Sequence, residues 1–137
     1  MNGSIMVPVD LAHKDALVSA INEAGALAKA KGAKLIAVGV TGSAPTEAAH
    51  TPSEFEDKLR QYAQEIEEMT GVPTQSMAIR DNDVAANLGE VLIRAADDMR
   101  AEMVVMQSHI PGFIEHVFSS NAGYLASHSD MSVLVVR

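Results

Sequence analysis

The chain alternates between short apolar runs and longer stretches in which apolar residues recur every three or four positions. The runs, at residues 4–9, 35–40, 103–106 and 133–136, are typical of strands buried on both faces of a sheet. The longer stretches have the period of amphipathic helices, and the first two end at Gly32 and Gly71, which are natural helix stops. A strand, a helix and a strand at this spacing predict a βαβ unit with parallel strands.

Local signals place the helices. The first helix is predicted to begin at about Lys14. Before the second, Thr51 is a good N-cap, Pro52 suits the first helical position and Glu54 completes a capping box. The apolar stripe of this helix consists of Phe55, Leu59, Tyr62, Ile66 and Met69. A third helix follows a cap at residues 81–83 and is marked by Leu88, Val91, Leu92 and Ala95.

The rest of the chain completes an alternating order of elements. Residues 41–52 are rich in Gly, Ser, Ala, Pro and Thr and are predicted to form an exposed loop. Residues 74–80 alternate in polarity, as in a strand nearer a sheet edge. A short fourth helix is predicted to begin near Ser119, Ser120 and Asn121. About five strands and four helices in alternation predict a single Rossmann-like, doubly wound α/β domain over residues 1–137.

Composition narrows the function classes. The chain has 137 residues, of which 47% are hydrophobic and 4% aromatic, so the core should be aliphatic with Met filling gaps. A net charge of −8 argues against a nucleic-acid surface, which needs clustered Lys and Arg. The absence of cysteine excludes disulfide and thiolate chemistry. No apolar segment approaches the roughly 20 residues that span a bilayer, so we expect a cytoplasmic protein that does not enter membranes.

The segment before the last strand is the strongest candidate for chemistry. The apolar run ending at Met106 leads into the polar turn at residues 107–112, and the predicted fourth helix follows. The first amides of a helix have no internal partner, and together with the helix dipole they favour an anion. This arrangement is typical of the place where an open parallel sheet holds a phosphate.

The same segment resembles the C-terminal signature of the universal stress protein family. The resemblance rests on Met106-Gln107-Ser108-His109, nine residues beginning at Pro111, Ser120-Asn121-Ala122 and the closing strand, together with Ile5-Met6-Val7-Pro8-Val9-Asp10 as the first strand. The family motif is Gly, two residues, Gly, nine residues, Gly, then Ser or Thr. Here the three glycine positions read Gln107, Ile110 and Ser120, and the hydroxyl position reads Asn121.

The resemblance implies a strand order of 3-2-1-4-5 and a stress-response regulatory module that binds ATP, ADP or AMP without fast turnover, with Mg²⁺ accompanying the nucleotide. It places Asp10 in the adenosine pocket and the backbone of Val40 against the base. The nucleotide-binding residues that it implies are Pro8, Asp10, Val40, Met106, Gln107, Ser108, His109, Ile110, Ser120, Asn121 and Ala122.

Other interpretations of these residues remain open. Asp10 could cap the next helix, and Ser120 and Asn121 could be N-caps with no ligand. The side chains of Gln107 and Ile110 crowd a phosphate loop in a way that glycine does not, and Pro111 removes an amide donor. The alternative function is therefore a dimeric interaction module that binds a regulatory protein and no nucleotide.

The last strand is predicted to form a homodimer interface. Val133, Leu134, Val135 and Val136 form an uncharged, mostly β-branched segment at a sheet edge, where unpaired backbone groups invite another strand. Antiparallel pairing with its own copy across a two-fold axis would satisfy that edge, and the resemblance implies the same interface. The alternative is an edge covered by the helix around Tyr124.

No catalytic or metal-binding motif is present. The five histidines share no ligand spacing, and His109 alone matches a family position. There is no Walker loop, no Gly-x-Gly-x-x-Gly after a strand and no Gly-x-Ser-x-Gly elbow. The adjacent acids at residues 67–68 and 97–98 point apart on their helices. We therefore predict that the protein is not an enzyme, and slow ATP hydrolysis is the least supported option.

Overall fold

The chain forms one five-stranded parallel sheet in the order β3-β2-β1-β4-β5. The computed structural model describes residues 3–41, 51–81, 84–108 and 115–137, with the backbone alone for 84–86 and 115–121. The strands are β1 (Ser4–Pro8), β2 (Lys34–Thr41), β3 (Thr74–Arg80), β4 (Ala101–Gln107) and β5 (Ser132–Val136). This confirms the predicted doubly wound fold, with β3 and β5 at the two edges.

The helices are α1 (Val18–Lys31), α2 (Pro52–Thr70), α3 (Val84–Asp98) and α4 (Glu115–His128). Helices α1 and α2 pack against each other, and α3 packs against α4. The predicted cap of α2 is confirmed, since the Thr51 hydroxyl accepts a hydrogen bond of 3.0 Å from the Glu54 amide and proline occupies the first turn. Gly32 and Gly71 end α1 and α2 with φ of 66° and 72°, values at which glycine avoids the steric penalty of a side chain.

Two predicted helix starts were wrong. A 3₁₀ segment at Leu11–Leu17 replaces the first turn expected from Lys14, because Asp10 caps this tighter segment and α1 begins only at Val18. Helix α4 begins at Glu115 rather than near Ser119, Ser120 and Asn121. Serine and asparagine favour caps but also occur inside helices, so their presence alone does not fix a helix start.

The core is aliphatic, as predicted. Met6 and Met106 are fully buried with Ile5, Leu35, Ile36 and Val104. The buried face of helix α1 carries four small residues, which allow the helix to pack closely on its neighbours: Ala20, Ala24, Gly25 and Ala28. The prediction for Met69 was wrong, since its side chain is 46% exposed. The inward stripe of α2 steps from Ile66 by four positions to the buried Thr70, which turns Met69 toward solvent.

Candidate functional site at the carboxyl edge of the sheet

The carboxyl ends of β1, β2 and β4 form the candidate site. The order of strands reverses between β1 and β4, because β2 lies on one side of β1 and β4 on the other. Crevices beside such a reversal are the usual ligand sites of open α/β sheets. Met6 pairs with Val104 in register, and counting onward brings Asp10 and Ser108 to the same level just beyond their strands. The register therefore places two predicted site residues at the same level beyond the strands.

Asp10 is held in one orientation by the residues that follow it. Its Oδ1 accepts a hydrogen bond of 3.0 Å from the Ala12 amide, and its Oδ2 lies 2.8 Å from Nδ1 of His13. The carboxylate is 14% exposed and the imidazole 28% exposed. Asp10 thus caps the 3₁₀ segment, which agrees with the capping interpretation of this residue. Its carboxylate still reaches the surface at the carboxyl ends of the strands, a region that we call the carboxyl edge.

His13 is a site residue that sequence reasoning missed. Its backbone has φ −136° and ψ 45°, values outside the helical region, and this interrupts the 3₁₀ segment. Its amide also donates a hydrogen bond of 3.0 Å to the Asp10 carbonyl, so backbone and side chain both contact Asp10. An aspartate followed three residues later by histidine, directly after a buried strand, was the signal that could have revealed this pair.

The 3₁₀ segment has an open side and a side anchored on α2. An open groove of about 650 Å³ runs along residues 11–16. Lys14 of this segment contacts two residues of α2. Its Nζ lies 5.0 Å from the centre of the Tyr62 ring and 3.6 Å from Oε2 of Glu65. Tyr62 is 3% exposed, and its hydroxyl has no hydrogen-bond partner in the part of the chain that the structure describes. Burial raises the pKa of this phenol, and the charges of Glu65 and Asp15 raise it further.

Gln107 ends β4 with a buried side chain, 6% exposed, that has two protein partners. Its Oε1 accepts a hydrogen bond of 3.2 Å from the Ala20 amide, and its Nε2 donates one of 3.2 Å to the Val136 carbonyl. The Ser108 amide donates to the same carbonyl at 2.8 Å. We refer to Gln107, Ser108, Ala20 and Val136 as the Gln107 junction. It joins the ends of β4 and β5 to the start of α1.

Neither a metal cluster nor a membrane-spanning helix is seen in the part of the chain that the structure describes. Within residues 3–41, 51–81, 87–108 and 122–137, where side chains are described, no three His, Asp or Glu side chains are grouped as metal ligands. No helix in these same ranges is both long enough and apolar enough to cross a bilayer.

A family model decides the identity of this fold. The model described as the universal stress protein family matches residues 1–137. The chain belongs to the universal stress protein family. This result confirms the resemblance seen in the first strand and in the C-terminal segment.

Solved universal stress proteins share the fold. The structure of one from Archaeoglobus fulgidus has 16% identity and a TM-score of 0.72, covering 100% of both chains. A universal stress protein in complex with cAMP has 20% identity and a TM-score of 0.69, covering 98% of this chain and 96% of its own. A universal stress protein from Archaeoglobus fulgidus in complex with dAMP has 15% identity and a TM-score of 0.68, covering 98% of each chain.

The residues that the family resemblance implied as nucleotide-binding differ in their exposure. Val40 and Ser108 are half-buried, so both reach the surface. Pro8 and Ala122 are buried and Met106 is fully buried, so these three offer a ligand little accessible surface. His109 and Ile110 lie outside the described residues, and Ser120 and Asn121 are described by their backbone alone.

The amide argument for the phosphate site changes with the start of α4. Ser120, Asn121 and Ala122 lie more than one turn inside this helix, where amides bond to carbonyls four residues earlier. As a general rule, amides without an intrahelical partner belong to the first turn of a helix, which in α4 begins at Glu115. A role for the side chains of Ser120 and Asn121 stays a prediction.

Proposed function

We propose that this universal stress protein binds an adenine nucleotide at the carboxyl edge of β1, β2 and β4 and acts as a cytoplasmic stress-response regulator. The proposal rests mainly on the carboxylate of Asp10, which is held in one orientation and is partly exposed. It lies beside the reversal of strand order, at the same level as Ser108. A carboxylate can accept hydrogen bonds from ribose hydroxyls, and ligands of doubly wound sheets bind at the carboxyl ends of the strands. The similar proteins in complex with cAMP and dAMP support the same ligand class.

The proposed pose follows the order of the strands. Adenine lies near Val40 at the end of β2, and the ribose lies near Asp10 after β1. The phosphates lie toward Ser108 after β4, with His109, Ile110, Ser120 and Asn121 as the neighbouring candidates. Mg²⁺ accompanies a bound diphosphate or triphosphate as part of the ligand, because Mg²⁺ is commonly held through substrate phosphates.

We propose binding without fast turnover. Hydrolysis would need a base positioned to activate water, and no catalytic motif in the sequence supplies one. A regulatory role needs only that the bound and unbound proteins differ in their partners. The proposed partners are a second copy of the chain and a regulatory protein.

Calorimetry with ATP, ADP, AMP and cAMP tests the proposal, with GMP as the base control. Asp10→Asn keeps an oxygen for the Ala12 amide and removes the charge. We expect it to weaken nucleotide binding by about 1–3 kcal/mol, the effect of losing a charged hydrogen bond. Asp98→Asn, an exposed change at the far end of α3, is the matched control and should bind normally. A folded native protein that binds none of these nucleotides would overturn the proposal.

A second candidate is a dimeric interaction module without nucleotide. Two observations favour it: the Gln107 side chain and the Ser108 amide are already bonded to protein groups, and Val135 on the β5 edge is 41% exposed. In this case Val133, Leu134, Val135 and Val136 pair with a second copy, and the carboxyl edge binds no ligand. The calorimetry above separates the two candidates, because the interaction module gives no heat with any nucleotide.

A further inference from the structure

Gln107 connects three elements that meet at the phosphate side of the proposed site. It is the last residue of β4, its side chain contacts α1 through Ala20, and it contacts β5 through Val136. The family resemblance implies that Gln107 binds the ligand, and in the structure both polar atoms of its side chain are bonded to protein groups.

The contact with Ala20 supplies a cap that α1 lacks. The residue before α1 is Leu17, whose backbone is already helical and which makes no side-chain capping bond. Ala20 is the third residue of α1, a position whose amide is often bonded to a capping side chain. The Gln107 carbonyl oxygen replaces that side chain from another strand, so the end of β4 is fixed to the start of α1.

The contact with Val136 fixes the direction in which the chain leaves β4. The Val136 carbonyl accepts from the Gln107 side chain at 3.2 Å and from the Ser108 amide at 2.8 Å. A carbonyl oxygen has two lone pairs, so it can serve both donors. Two consecutive residues are thereby held on one atom of β5. Ser108 is the next residue of the chain and the proposed phosphate contact on β4.

We propose that Gln107 is a positioning residue that sets the affinity for the nucleotide's phosphate group while leaving the affinity for its nucleoside part unchanged. The inference rests on the proposed function. Its reason is the placement of the Gln107 junction, which holds Ser108 and has no hydrogen bond to Asp10 or Val40. A binding group loses affinity when the residues that orient it are removed, even though they do not touch the ligand.

The test compares dissociation constants for adenosine and AMP in native protein and in Gln107→Met, which keeps the length of the side chain and removes both hydrogen bonds. The measured quantity is the dissociation constant of adenosine divided by that of AMP, which reports how much the phosphate adds to the affinity. We expect the ratio to fall by about tenfold in the variant, comparable to one hydrogen bond to a charged group. The adenosine constant should stay at its native value.

Thr70→Val is the matched control. Thr70 is 7% exposed, donates to the Ile66 carbonyl at 2.8 Å and accepts from the Val72 amide at 3.2 Å. It ends α2 just before β3 begins, so it lies at the amino ends of the strands. This change also removes two buried hydrogen bonds, so it should lower stability and leave the adenosine-to-AMP ratio unchanged. If Gln107→Met does not fold, Gln107→Asn keeps the carboxamide but is too short to reach both partners.

Each outcome decides a different statement. A native protein that binds neither adenosine nor AMP overturns the proposed function, and the inference falls with it. A native ratio that persists in the Gln107 variant overturns the inference alone. Equal losses for adenosine and AMP also overturn it, because they indicate a general structural role for Gln107. Loss of the AMP preference with intact adenosine binding supports it.

Discussion

Gly25 of α1 and Thr70 of α2 approach so closely that a Cβ added to Gly25 would lie 2.7 Å from Cγ2 of Thr70. Thr70 cannot easily turn away, because its hydroxyl donates to the Ile66 carbonyl and accepts from the Val72 amide. We therefore expect Gly25→Ala to lower the free energy of unfolding by about 1–3 kcal/mol through overpacking, despite the better helix propensity of alanine. Urea unfolding followed by circular dichroism measures this.

Gly123 in α4 provides the control for that experiment. No described heavy atom lies within 4 Å of a Cβ added there, apart from its own helix and chain neighbours. Gly123→Ala should therefore raise the free energy of unfolding by about 0.5–1 kcal/mol, because only the conformational entropy of glycine is removed. If both variants were equally stabilised, the close packing of α1 on α2 would be contradicted.

Tyr62→Phe should stabilise the protein. The change removes a buried hydroxyl that lacks a hydrogen-bond partner among the described residues, and it keeps the ring beneath Lys14. We expect a gain of about 1 kcal/mol in the free energy of unfolding at neutral pH. Tyr124→Phe, at a half-exposed position, should change stability by less than about 0.5 kcal/mol. A loss of stability in Tyr62→Phe would show that the hydroxyl has a partner in solution.

The advantage of Tyr62→Phe should widen in alkali. Burial raises the pKa of Tyr62 in the folded state above the ordinary value of 10.0, whereas the unfolded chain ionises near that value. Ionisation of Tyr62 therefore leaves the free energy of unfolding unchanged below pH 10.0. Above pH 10.0 it favours the unfolded chain, so the native protein loses stability, whereas the phenylalanine variant has no phenol to ionise. Unfolding curves of both proteins at neutral pH and above pH 10 measure the difference, and a constant gap would contradict the raised pKa.

Arg100→Gly should also stabilise the protein. Arg100 has φ 53° between α3 and β4, in the left-handed region that glycine occupies without a side-chain clash. We expect a gain of about 0.5–1 kcal/mol in the free energy of unfolding. Arg94→Gly, at an exposed position inside α3, should instead cost about 1 kcal/mol. Equal losses in the two variants would contradict the backbone argument.

The proposed dimer is tested by Val135→Lys. A charge on the β5 edge should prevent strand pairing, so sedimentation should show a native dimer at micromolar concentration and a monomeric variant. Gln75→Lys places the same charge at an exposed position on the opposite edge strand, β3, and should leave the dimer intact. A native monomer would exclude this interface, and a dimer that tolerates the Val135 lysine would move it elsewhere.

The sequence predicted features that depend on near neighbours. The Thr51 cap acts on an amide three residues later, and Gly32 and Gly71 end the helices that directly precede them. It could not predict the contacts of Gln107, whose partners Ala20 and Val136 lie 87 and 29 positions away. No local pattern encodes such contacts. The start of α4 was missed for another reason, since serine and asparagine occur both at caps and inside helices.

The two edges of the sheet differ in chemistry, and this difference would limit the stoichiometry of the proposed pairing through β5. The β3 edge carries the exposed polar residues Gln75 and Arg80, whereas the β5 edge exposes Val135. A protein with one adhesive edge is monovalent, so edge-to-edge pairing ends when two copies have met. A hydrophobic substitution at Gln75 would make the molecule divalent. Its copies could then join end to end into an open-ended filament.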